Sequence, residues 1–144
     1  MRKTALKKSN PLAAKQYAAL PWRHGGGGTE VMLISSRDTG RWVIPKGWPI
    51  RGLSPSQSAA REAFEEAGVG GQISAKPIGE FGYDKRLDDG KSRNCRVAVF
   101  ALESMVQHQT WPEMGQRKLQ WFSIPDAAKA VQEPELAKII RNLK

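Results

Sequence analysis

Glu62, Glu65 and Glu66 are separated by three and four residues, so on a helix their carboxylates lie on one side and meet in space. Like charges at this spacing repel, and Arg61 can pair with Glu65 one turn on but cannot neutralise three acids. A hard divalent cation such as Mg²⁺, Mn²⁺ or Ca²⁺ could, because clustered carboxylate oxygens are the donors it takes. The alternative for a bare E-x-x-E-E is a solvated acidic face, and the flanking residues must decide between the two.

Those residues predict a helix with explicit ends. Ser54 is an N-cap, Pro55 suits the first helical position, and Gln57 stands where a capping box wants Glu or Gln. Gly68 is placed to stop the helix in a left-handed C-cap. At 100° per residue, Ala60, Ala63, Phe64 and Ala67 form the face for a core, with the three acids opposite.

Residues 47–69 resemble the Nudix box, G-x5-E-x7-R-E-U-x-E-E-x-G-U, where U is aliphatic. Gly47 takes the first position, Arg61-Glu62 the R-E pair, Ala63 the U site, Glu65-Glu66 the E-E pair and Gly68-Val69 the end. Leu53 departs from the pattern, standing where the family has its first Glu. The resemblance implies an α/β/α sandwich with a mixed β-sheet and Mg²⁺-dependent hydrolysis of a phosphoanhydride, with Mn²⁺ able to substitute. It implies that Glu62, Glu65, Glu66 and the backbone carbonyl of Lys46 hold the metal. Arg61 would orient Glu65, and Gly47 would let the loop pass close beneath the helix. With Leu53 unable to serve as general base, that role falls to Glu62 or Glu66, or to an acid of another loop such as Glu113 or Glu103.

The likeness extends beyond the box. The run Arg41-Trp42-Val43-Ile44-Pro45-Lys46-Gly47-Trp48, with Trp111-Pro112-Glu113 and Arg117-Lys118-Leu119-Gln120-Trp121-Phe122, is similar to the branch that cleaves diphosphoinositol and diadenosine polyphosphates. Lys46-Gly47-Trp48 replaces a glycine-rich run in that branch and would reshape substrate access. Nucleoside triphosphates and RNA 5′ ends are alternative substrates. The replacement at Leu53 also admits a non-catalytic ligand-binding protein, against which the intact acid cluster argues.

Charge points to the same class of ligand. The formal net charge is +9, and no acid occurs before Glu30. Such a balance favours polyanionic partners, chiefly phosphorylated small molecules, with nucleic acid less favoured because no base-reading module accompanies it. Arg23, Arg41, Lys46, Arg86, Arg117 and Lys118 are the candidates for holding a polyphosphate, Arg through its bidentate fork. Trp48, Tyr83 and Trp111 could stack a base or simply pack.

The chain of 144 residues suggests one domain over 15–144 behind a basic tail over 1–14. No stretch nears the roughly 20 apolar residues of a membrane span. A lone cysteine, Cys95, excludes an internal disulfide and fits a reducing, cytoplasmic setting, as monomer or homodimer. Hydrophobic patterning predicts strands over 16–23, 30–36, 41–45, 96–102 and 118–122, and a long strand over 72–83 interrupted near Pro77 and Gly79. Gly25 to Gly28 lack the Lys-Ser/Thr of a phosphate loop and read as a hairpin connection. Further helices are expected over 126–131 and 135–143.

Overall fold

The computed structural model describes residues 13–143; the rest of the expected basic tail, residues 1–12, lies outside the described residues. Among the described residues eight strands, β1 (Ala14–Gly25), β2 (Gly28–Ser35), β3 (Trp42–Val43), β4 (Lys46–Gly47), β5 (Val69–Ile73), β6 (Gly79–Arg86), β7 (Ser92–Gln107) and β8 (Leu119–Ser123), form one sheet in the order β3-β2-β1-β7-β5, with β4 on β1, β6 on β7 and β8 on β2. At its centre β1 (Ala14–Gly25) runs parallel to β7 (Ser92–Gln107), from Ala14 opposite Cys95 to Trp22 opposite Glu103. All other pairings are antiparallel, so the sheet is mixed.

Alternation along the central strands sorts the core into two layers. Ala18, Leu20, Val31, Leu33, Val97 and Val99 face α2 (Ile124–Ala130) and α3 (Pro134–Arg141), which contribute Ala127, Leu136 and Ile140. Ala19, Met32, Ile34, Phe100 and Leu102 face α1 (Pro55–Ala67). The α/β/α sandwich with a mixed sheet is present as the sequence pattern implies. The glycine run closes a tight hairpin between β1 and β2 (Gly28–Ser35), ending on the Gly25–Gly28 pair.

The expected interruption near Pro77 is present, and two strand boundaries differ from expectation. The stretch over 72–83 is two strands, β5 (Val69–Ile73) and β6 (Gly79–Arg86), laid end to end along β7. Between them Ser74 and Ile78 still donate to the Ala101 and Val99 carbonyls at 2.8 and 2.7 Å, while the residues around Pro77 leave the ladder. The strand expected over 41–45 is shorter, because the chain changes partner. β3 (Trp42–Val43) pairs with β2, and β4 (Lys46–Gly47) then crosses to Tyr17 and Ala18 of β1. That crossing carries Lys46 and Gly47 beneath α1.

Helix α1 begins and ends as its sequence predicts. The Ser54 side chain accepts from the Gln57 N–H at 3.2 Å and the Gln57 side chain accepts from the Ser54 N–H at 2.9 Å. Gly68 closes it at φ +69°. Its buried face is rotated from the expected one. Ser58, Ala59, Ala63, Glu66 and Ala67 are buried, whereas Ala60 and Phe64 sit at the flank and Phe64 packs edge-on against His108. A stripe of alanines brings the helix close to the sheet, leaving no room beneath it for a phenyl ring. The same rotation turns Glu66 inward.

Candidate functional site

Beside the inward edge of α1 lies a cleft of ≈ 470 Å³, walled by Glu62 and Glu66 and by Lys46, Gly47, Tyr83, Lys85 and Arg117. Two backbone contacts fix its floor to the helix. The Lys46 N–H donates to Glu66 Oε1 at 3.3 Å, and the Ile50 N–H donates to Ser58 Oγ at 3.2 Å. A side chain at Gly47 would run into the Glu62 carboxylate, so glycine is what allows this close approach.

The two carboxyls are electrostatically frustrated. Burial pushes Glu66 up to about 8; Arg117 pulls it back, while Glu62 and Glu113 push it further up. Burial also raises Glu62, with Glu65 and Glu113 adding to the shift and a hydrogen bond to Glu66 opposing it. Burial lowers the Lys46 ammonium, against the pull of Glu66. Its Nζ stands 4.8 Å from the Tyr83 ring centre, and the Tyr83 hydroxyl donates to Gln16 Oε1 at 2.7 Å.

Arg117 closes the cleft from the loop that follows β7. Its Nε donates to Glu113 Oε1 at 3.1 Å and its Nη1 to the Ser35 carbonyl at 3.2 Å. Its Nη2 forms an ion pair with Glu66 Oε1 at 3.9 Å.

Comparison with known proteins identifies the family. The NUDIX domain model matches residues 16–143. The chain belongs to the Nudix hydrolase family. It is 34% identical to Nudix hydrolase 21, chloroplastic, of Arabidopsis thaliana over 137 residues, covering 88% of this chain and 65% of that protein. It is 33% identical to diphosphoinositol polyphosphate phosphohydrolase 3-beta of Bos taurus over 120 residues, 80% of this chain and 69% of that one. This Nudix chain therefore spans about two-thirds of the length of these relatives. The C. elegans Ap4A hydrolase in a binary complex shares the fold, with a TM-score of 0.64 at 23% identity over 90% of this chain and 93% of that one.

Within the Nudix site the structure divides the predicted residues. Glu62, Glu66, Lys46, Trp48 and Arg117 line the cleft, Trp48 at an exposed rim with Arg93 5.8 Å from its ring centre. Glu65 does not line it and pairs loosely with Arg61 at 3.9 Å. Arg41 and Arg86 line an adjoining cavity of ≈ 310 Å³ that shares Lys46, Tyr83 and Lys85 with the first. There Arg41 pairs with Glu133 at 2.9 Å, and its buried Nη1 has no hydrogen-bond partner among the described residues.

Arg23 and Lys118 line neither cavity. Arg23 sits near the β1–β2 hairpin, bonded to Glu30 at 2.8 Å and stacked 4.1 Å over Trp121. Lys118 is used through its backbone, which exchanges hydrogen bonds with Ser35. Leu53 lies outside both cavities, as does Glu103, which pairs across the sheet with Trp22 and Gln72. Trp111 packs over Gly68, the C-cap of α1, and lines neither cavity. Sequence reasoning missed Gln16, Arg37 and Lys85 in the cleft wall. For Lys85, its place on β6 on the same side of the strand as Tyr83 was a readable signal.

Among the described residues no three His, Cys, Asp or Glu side chains form one metal-binding group. Two carboxylates nevertheless fit a hard cation that keeps several waters and takes substrate oxygens for the rest. Burial is the main cause that raises Glu62 and Glu66, and their mutual proximity adds to it at Glu66.

Proposed function

We propose that this chain hydrolyses a phosphoanhydride bond in a compact, highly phosphorylated small molecule, in the class of the diphosphoinositol or diadenosine polyphosphates named for its relatives. The observation carrying this reading is the cleft itself, in which a crowded carboxylate pair shares the wall with Lys46 and Lys85. Carboxylates alone would repel such a substrate, and cations alone would bind it without turnover.

Glu62 and Glu66, with the Lys46 carbonyl, are the proposed holders of Mg²⁺ or Mn²⁺. Glu65, whose side chain makes a loose 3.9 Å contact with Arg61, is the proposed third acid. A divalent ion bound there would offset phosphate charge and acidify the attacking water. The chain's own residues supply the rest. Arg61 steadies Glu65, and Lys46 together with Arg41, Lys85 and Arg86 of the adjoining cavity orients the remaining phosphates. Glu62 or Glu66 would accept the proton of the attacking water.

The exposed Trp48 at the rim, beside Arg93, favours a second reading in which the substrate carries a nucleobase, as a nucleoside triphosphate or an RNA 5′ end does. The experiment is a panel: phosphate or nucleotide release from diphosphoinositol polyphosphate, diadenosine polyphosphate, ATP, ADP-ribose and 5′-triphosphorylated RNA with Mg²⁺. Fastest turnover of one of the first two supports the proposal; exclusive turnover of ATP or RNA supports the second reading; none at all leaves a ligand-binding protein. The buried single Cys95 fits a reducing compartment, and the cytoplasm is the proposed location. Among the described residues no helix is long and apolar enough to cross a membrane.

A further inference from the structure

Arg117 has the residue type of a phosphate clamp, yet its surroundings describe a different task. Its side chain is only 10% exposed, and each of its three nitrogens has a protein partner: Glu113, the Ser35 carbonyl and Glu66. The loop that carries it is fastened at both ends. The Glu113 N–H donates to the Glu65 carbonyl at 3.0 Å, joining the loop to the last turn of α1. The Lys118 N–H donates to Ser35 Oγ at 2.8 Å and the Ser35 N–H to the Lys118 carbonyl at 3.0 Å, joining it to β2.

We propose that Arg117, backed by Glu113, is a positioning residue that sets the Glu66 carboxylate for cation binding and does not grip the substrate. This rests on the reading of Glu66 as a metal holder. Glu66 Oε1 is held from two directions, by the Lys46 N–H at 3.3 Å and by Arg117 Nη2 at 3.9 Å. Both contacts fall on one oxygen and so fix the direction of the carboxylate. Only a planar fork can serve Glu113, a carbonyl and Glu66 from one centre; a lysine keeps the charge and loses that span. Glu113 in turn offsets the arginine charge, so that the pair presents a directed donor beside Glu66 without drawing a substrate phosphate into it.

The test is Mn²⁺ titration of the metal-free full chain, followed by the paramagnetic resonance of free Mn²⁺, alongside steady-state kinetics at saturating metal. Arg117→Lys should weaken Mn²⁺ binding by about 10- to 100-fold, the usual cost of removing a group that orients a ligand. At saturating metal it should lower kcat and leave KM unchanged. Glu113→Gln should weaken Mn²⁺ binding in the same direction by a smaller factor, and it carries the test if Arg117→Lys does not fold. A raised KM with unchanged Mn²⁺ affinity would make Arg117 a substrate clamp and overturn the proposal. So would a lowered melting temperature with unchanged affinity per folded molecule, which is what a purely structural arginine gives. Wild-type protein that binds Mn²⁺ but hydrolyses nothing would remove the proposed function and leave this inference standing. Wild-type protein that binds no Mn²⁺ would remove both.

Discussion

The Gly47 Cα lies so close beneath the Glu62 carboxylate that no β-carbon fits between them. Gly47→Ala should therefore push Glu62 aside while leaving the sheet intact, because the collision is with the end of a flexible side chain and not with backbone. Displacing a reacting group by about 1 Å costs on the order of 100-fold in rate, and kcat should fall by about that factor. Circular dichroism and melting temperature should match the wild type. Wild-type kcat in a folded Gly47→Ala chain would detach Glu62 from the chemistry.

Glu66 links the site to stability through pH. Its pKa is raised from 4.5 to about 8 on folding, so the folded state keeps a proton that the unfolded state releases. Its contribution is fully present below pH 4.5 and is lost as pH climbs through 8. In EDTA the melting temperature should fall by roughly 5 °C between pH 6 and pH 8.5. Glu66→Gln should flatten that slope, and Mg²⁺ should restore the alkaline stability of the wild type. Parallel slopes for variant and wild type in differential scanning calorimetry would contradict this.

Leu53 donates its N–H to the Ile50 carbonyl at 3.0 Å in the loop before α1, outside both cavities. Leu53→Glu restores the missing acid of the box at a position that lines neither cavity. Its effect on kcat should stay within about threefold, well short of the ~100-fold or more that a general base supplies. A large gain in initial rate would mean that the natural chain lacks its base.

The helix was legible because its signals are local. Ser54, Gln57 and Gly68 act on backbone groups within four residues of themselves, and the acid spacing follows from helical period alone. What escaped the sequence depends on distant partners. Glu66 is buried by Lys46, twenty residues away along the chain, and by Arg117. The outward position of Phe64 follows from alanines that let α1 lie flat on the sheet, a packing choice that a helical wheel does not contain. Arg117 has the composition of a phosphate clamp, and only its bond to the Ser35 carbonyl, 82 residues away, reveals other duties. Arg23 and Lys118 illustrate the same limit, since a cation's type does not say which cavity it reaches.

The most direct test of the central claim is phosphate release from a diphosphoinositol or diadenosine polyphosphate by wild type and Glu62→Gln/Glu66→Gln, each with Mg²⁺ and with excess EDTA. The account predicts turnover only for wild type with Mg²⁺, the double variant folding but falling by at least about 1,000-fold. Hydrolysis that persists in EDTA, or a double variant that keeps the wild-type rate, would contradict it.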